Sequence, residues 1–134
     1  MRILNPAGLP RAVGFSHVTV AGPGQLVMLA GQTGHHEDGT IDEGLVDQFW
    51  IACHNVVTAL AAAGAKPENV ISLQIFTAAI DSYRQSLGPI GEAYRSIFGS
   101  HYPAIALLGI SELFDPAAKV ELVAMAFLEH EPTD

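Results

Sequence analysis

Apolar positions along this chain follow two periods. Leu45, Phe49, Ala52, Val56, Leu60 and Ala63 recur at intervals of three and four, which marks one stripe of a helix. Asp42 stands where an N-cap belongs, and Gly64 where the chain leaves the helix, so a helix is predicted over 43–63. A second helix is predicted from Asp81 or Ser82 to Phe98, with Leu87, Ile90, Tyr94, Ile97 and Phe98 inward and Gly99 as its stop. Pro89 requires that this helix start late, near Leu87, or kink.

Strands are predicted at His17–Ala21, Leu26–Ala30, Val70–Ile80, Tyr102–Ile110 and Lys119–Glu129, all rich in β-branched or alternating apolar residues. Gly22-Pro23-Gly24-Gln25 reads as a turn joining the first two into an antiparallel hairpin. Residues 1–14 read as an irregular lead-in, and 131–134 as a frayed tail. The order ββαβαββ predicts one α+β domain over 1–134, a two-layer sandwich with both helices on one face of the sheet. Each β-α-β segment is expected to cross over right-handed, giving a ferredoxin-like or chorismate-mutase-like plait.

The last strand places Val120, Leu122, Ala124, Ala126 and Leu128 in one row, which suits the helices. Its other row, Lys119, Glu121, Val123, Met125, Phe127 and Glu129, is apolar in the middle as well. A two-layer domain should offer water a polar second face. The expectation is therefore that this face packs on neighbouring subunits.

Composition agrees: 49% of the 134 residues are hydrophobic and only 15% charged. Six basic against fourteen acidic residues leave a net charge of −8, which disfavours nucleic acid and anionic lipid as partners. No apolar run reads as a membrane span, and the single Cys53 fits a reducing, cytoplasmic setting. Cys53 reads as a buried thiol. His35, His36, Glu37 and Asp38 read as a solvated loop whose spacing does not suit a zinc site. No phosphate loop or dinucleotide fingerprint is present, so no cofactor or metal is expected. Glu121, a carboxylate inside an apolar row, is the candidate catalytic group.

An ordered set of segments resembles the RidA/YjgF imine deaminase family. It comprises Phe15-Ser16-His17, Leu29-Ala30-Gly31-Gln32-Thr33-Gly34, Ala61-Ala62-Ala63-Gly64-Ala65 with Asn69-Val70, Glu92-Ala93-Tyr94, Tyr102-Pro103-Ala104 and Val120–Ala126. The resemblance implies a chorismate-mutase-like subunit, a homotrimer whose sheets line a central barrel, and small-molecule clefts between subunits. It also implies cofactor-independent hydrolysis of enamines or imines, such as 2-iminobutanoate and 2-iminopropanoate, to 2-oxo acids and ammonia.

By that likeness Phe15, His17, Ala30, Gly31, Gly91 and Ile105 line the substrate site, with Glu121 placing water. Ile105 stands where deaminase members carry a carboxylate-gripping arginine. Phe15 replaces a tyrosine, Ala30 a serine, Gly91 an asparagine and Val123 a second glutamate. These departures favour a divergent hydrolase or lyase-type enzyme acting on a small uncharged or weakly polar substrate. The alternatives are a non-catalytic metabolite- or protein-binding homotrimer and the ordinary imine deaminase. Arg11 and Arg95 are the cations that could reach the cleft from elsewhere in the chain.

Overall fold

The computed structural model describes residues 1–130, so the tail expected to fray lies outside the described residues. Its strands are β1 (Arg2–Leu4), β2 (Val18–Val20), β3 (Gly24–Met28), β4 (Gln32–Thr33), β5 (Val70–Thr77), β6 (Ala104–Gly109) and β7 (Val120–Glu129). Its helices are α1 (Leu45–Ala62), α2 (Ile80–Gln85) and α3 (Leu87–Phe98), with a single 3₁₀ turn at Pro67–Asn69.

The main sheet has the order β3-β7-β5-β6, and β4 extends the β3 edge along β7. β5 and β6 run parallel, and β7 runs antiparallel to β3, β4 and β5. The predicted hairpin does not form. β2 pairs with β1 in the lead-in, and β3 pairs with β7. The turn signal at Gly22-Pro23-Gly24 is local, whereas β7 offers β3 a long apolar strand with complementary pleat, and the tertiary partner wins.

The α1 stripe is buried as its period requires: Leu45, Phe49, Ala52, Cys53, Val56 and Leu60 lie under the helix on the sheet. By length and composition this helix is apolar enough to cross a membrane, contrary to the sequence reading. Its stripe packs against Val70, Leu73, Ile75, Val120, Leu122, Ala124 and Ala126, as in a core helix. Gly44, not Asp42, holds the N-cap position, and no side chain caps the helix. Gly64, at φ +73°, takes the chain out of it.

The second predicted helix is two. Ser86 separates α2 from α3, and Pro89 falls in the first turn of α3, where its missing N–H costs nothing. The β7 residues 120, 122, 124 and 126 face the helices and are buried. On the opposite face Phe76, Val123, Met125 and Phe127 lie half-buried beside exposed Leu26, Met28, Ala106 and Leu108. Leu26 and Met28 keep 54% and 65% of their surface, so one side of the sheet is an open apolar face.

Between β3 and β4 the edge carries a bulge. Three residues lie between Met28 and Gln32, whereas two lie between their partners Met125 and Leu122. The extra residue falls within Leu29-Ala30-Gly31, beside Glu121. Bulges re-aim side chains at such places.

Candidate functional site

The predicted site residues fall into two groups on opposite faces of the sheet. Phe15, Gly91 and Ile105 line a cleft of 430 Å³ between β6 and α3, on the helix side. Ile105 sits there because its β5 partner is the buried Leu73. Val13, Phe49, Tyr83, Ile90, Tyr94 and Tyr102 complete most of the wall. Tyr94 is fixed by stacking, with Tyr102 at 5.2 Å and Phe98 at 4.6 Å between ring centroids. Its hydroxyl donates to the His101 carbonyl at 2.6 Å. Burial pushes the Tyr83 phenol up to about 12, with nearby Cys53 adding to the shift, so Tyr83 offers a neutral hydroxyl.

One cation lines this cleft, and it is Arg95 of α3. A methyl group built on Gly91 would come within 3.1 Å of its Nη1 atom, so the guanidinium lies over the glycine one turn back along the helix. The cleft, apolar at Ile105, thus holds a charge from another element. Arg11 is exposed in the lead-in and does not line it.

Ala30, Gly31 and Glu121 form the second group. Glu121 lies across from Phe76 and Thr33 on the open face. Its carboxyl packs so closely on Gly31 that a methyl group there would meet Oε2 at 2.7 Å, so position 31 must be glycine for this geometry. Among the described residues no cation lies within 4.0 Å of Glu121. Its oxygens are therefore free to accept from water or a ligand. Ala30 is exposed at the bulge, and its carbonyl accepts from Gln32 Nε2 at 3.2 Å.

His17 stands between structure and site. It borders a smaller pocket of 250 Å³ with Phe15, Ser72, Gln74 and Ala104. Its Nε2–H donates to the Pro10 carbonyl at 2.7 Å, and its ring meets Phe15 edge-on at 4.9 Å. Those contacts anchor the lead-in and set the Phe15 ring.

Two polar features escaped the sequence reading. His35 is held rather than solvated: Nε2–H donates to Asp115 at 2.8 Å, and Nδ1 accepts from the Thr33 hydroxyl at 2.6 Å. The Ala117 N–H and then His35 hold the Asp115 carboxyl below its ordinary value. Thr33-x-His35 on an extended segment is a sequence signal for the first half of this chain, but Asp115 is far away in sequence. Gln48 is fully buried on α1. It donates to the Asp42 and Ala117 carbonyls at 2.7 and 3.0 Å and accepts from Lys119 N–H at 2.8 Å. Cys53 is buried as expected, and desolvation pushes its thiol up to about 12, far from a thiolate nucleophile.

Comparison with known proteins agrees with this architecture. A Rid-family protein of unknown function from Yersinia pestis superposes with a TM-score of 0.81 at 24% identity, over 95% of this chain and 98% of that one. A protein of Thermotoga maritima described as a candidate endoribonuclease gives 0.70 at 26%, over 97% and 99%. A YjgF/YER057c/UK114 family member from Mycobacterium tuberculosis gives 0.65 at 28%, over 87% and 88%. Among curated proteins no significant match is found. The family model described as Endoribonuclease L-PSP matches residues 8–128, and with the Rid and YjgF folds around it the chain belongs to the Rid/YjgF family.

Proposed function

We propose that this protein is a cofactor-independent hydrolase of the Rid family, working as a homotrimer whose open sheet faces pack around a central barrel. The carrying observation is the split site. Gly31 and Glu121 occupy one face, while Phe15, Gly91 and Ile105 occupy the other. One chain cannot close such a site, and a second copy set against the sheet edge can. The exposed apolar residues Leu26, Met28 and Leu108 support burial of the open face between copies.

In that cleft Glu121 positions water for attack on a small, mainly apolar substrate, as an acceptor or general base. Loss of the tyrosine hydroxyl at Phe15 and of the arginine at Ile105 argues against ordinary turnover of 2-iminobutanoate. The net charge of −8 argues against RNA as substrate. We place the protein in the cytoplasm on its single unpaired thiol. The second reading, a non-catalytic binding trimer, is favoured by the apolar lining of the cleft.

Sedimentation equilibrium and an imine-hydrolysis panel test the proposal. The expected result is a trimer whose turnover falls at least a hundredfold in Glu121→Gln while its mass is unchanged. Turnover unaffected by that substitution overturns the catalytic assignment, and a stable monomer overturns the shared cleft.

A further inference from the structure

We propose that Thr33, His35 and Asp115 form a hydrolytic triad at the β4 edge, in which the Thr33 hydroxyl is acylated by a small uncharged carboxylic ester. This activity goes beyond the water chemistry assigned to Glu121, and it uses neither the Ile105 cleft nor a second copy.

Geometry carries the argument. Asp115 Oδ2 accepts from His35 Nε2–H at 2.8 Å, and His35 Nδ1 accepts from the Thr33 hydroxyl at 2.6 Å. An ionised carboxylate can only accept, so it fixes the ring proton on Nε2 and leaves the Nδ1 lone pair facing the hydroxyl. That is the order of nucleophile, base and orienting acid in acyl transfer, which is recognised by roles and distances rather than by chain order. The Ala117 N–H and then His35 hold the Asp115 carboxyl below its ordinary value, so it stays ionised at neutral pH.

Each member is also held from outside the triad. Pairing with β7 fixes the Thr33 backbone. The Asn55 amide of α1 donates to the carbonyls of both Thr33 and His35, at 2.9 and 2.8 Å, so one side chain sets nucleophile and base together. Gly34 between them packs so closely on α1 that a methyl group there would meet the Gln48 carbonyl oxygen at 2.5 Å. Asp115 is anchored by the Ala117 N–H at 2.9 Å.

The surroundings select the substrate class. Thr33 and His35 stay half-buried and border a hollow of 580 Å³ with Gln32, Glu37, Asn55 and Thr58. Among the described residues no lysine or arginine lines it, and Glu121 stands across from Thr33. An acyl group bearing a carboxylate is repelled there, and an uncharged ester is not.

In the reaction Thr33 Oγ1 bonds to the ester carbonyl carbon as its proton passes to His35 Nδ1. The bond from that carbon to the alkoxy oxygen then breaks, and the alcohol leaves with the proton. Water attacks the acyl-threonine and gives its own proton to His35 Nδ1. The acid departs, and the Thr33 hydroxyl recovers a proton from the ring.

Treatment of the full chain at neutral pH with para-nitrophenyl acetate, and with diisopropyl fluorophosphate as a reagent whose adduct does not turn over, tests the triad. Peptide mass spectrometry is expected to place the acetyl or the phosphoryl group on Thr33. His35→Gln should slow labelling by about a hundredfold or more, and Asp115→Asn should slow it as well. Thr33→Val should abolish it, whereas Thr33→Ser, which keeps the hydroxyl, should retain it. Circular dichroism verifies the fold of each variant. No label on Thr33 from either reagent overturns the proposal, as does labelling at the wild-type rate in His35→Gln. Acylation of Lys66 or Lys119 in place of Thr33 overturns it too, and so does a folded Thr33→Ser that takes no label.

Discussion

Gln48 shows how much one residue can hold. Its amide closes three backbone groups at the junction of α1 with the start of β7, entirely out of water. Gln48→Ala leaves the Asp42 and Ala117 carbonyls and the Lys119 N–H without that partner. Each stranded group costs about 1–3 kcal/mol, so a loss of about 3 kcal/mol is expected, read from the urea midpoint at unchanged slope. Cys53 gives a second residue-scale outcome. With its thiol buried and pushed up to about 12, it should resist an aromatic disulfide reagent at neutral pH in the native state and react fully once urea unfolds the chain. Rapid native labelling would show that the α1 core opens locally. The Gln48 junction was not legible in sequence because a polar residue beside an apolar stripe looks like an exposed flank, and its partners lie up to 71 residues away.

At the scale of elements, α1 and the parallel pairing of β5 with β6 were legible, whereas the break between α2 and α3 and the partners of β2 and β3 were not. The interval of three and four from Leu45 to Leu60 encodes α1 directly, since a helix is a local structure. β1 is three exposed residues with no period to read, and it exists because Val18–Val20 pairs with it. The cleft wall was legible only as a list of positions. That Ile105 and Glu121 face opposite sides follows from strand order and register, which are tertiary facts. The loop between β6 and β7 yields a pH prediction. Asp115 is held below its ordinary carboxylate value in the folded chain, first by the Ala117 N–H and then by His35. A lowered carboxyl stabilises above the unfolded value, 3.8, and loses that contribution as pH falls through the folded one. The 110–118 loop should therefore keep its protection from proteolysis at neutral pH and lose it only in acid below the ordinary carboxylate range. Asp115→Asn should produce the loosened loop at pH 7.

For the whole molecule, the open sheet face is the feature on which the proposed trimer rests. Leu26, Met28 and Leu108, with Val123, Met125 and Phe127 among them, make a contiguous apolar surface on one side of the sheet. Met28→Asp places a charge on this face, at its β3 edge, without touching the helix-side core. The expected outcome is a folded monomer by sedimentation, with the parent a trimer at the same concentration. An unchanged mass would show that this face is not the seam between copies.

The bulge at Leu29-Ala30-Gly31 has a consequence for alternation along the edge. Even-numbered residues Leu26 and Met28 look toward the open side, yet beyond the bulge the odd-numbered Thr33 does so, because it stands across from Glu121. The inserted residue shifts the phase of the edge by half a pleat. Deleting one residue there would restore the simple alternation with Gln32 still across from Leu122 and Thr33 still across from Glu121, but would straighten the edge and take away the loop that seats Gly31 against the Glu121 carboxyl.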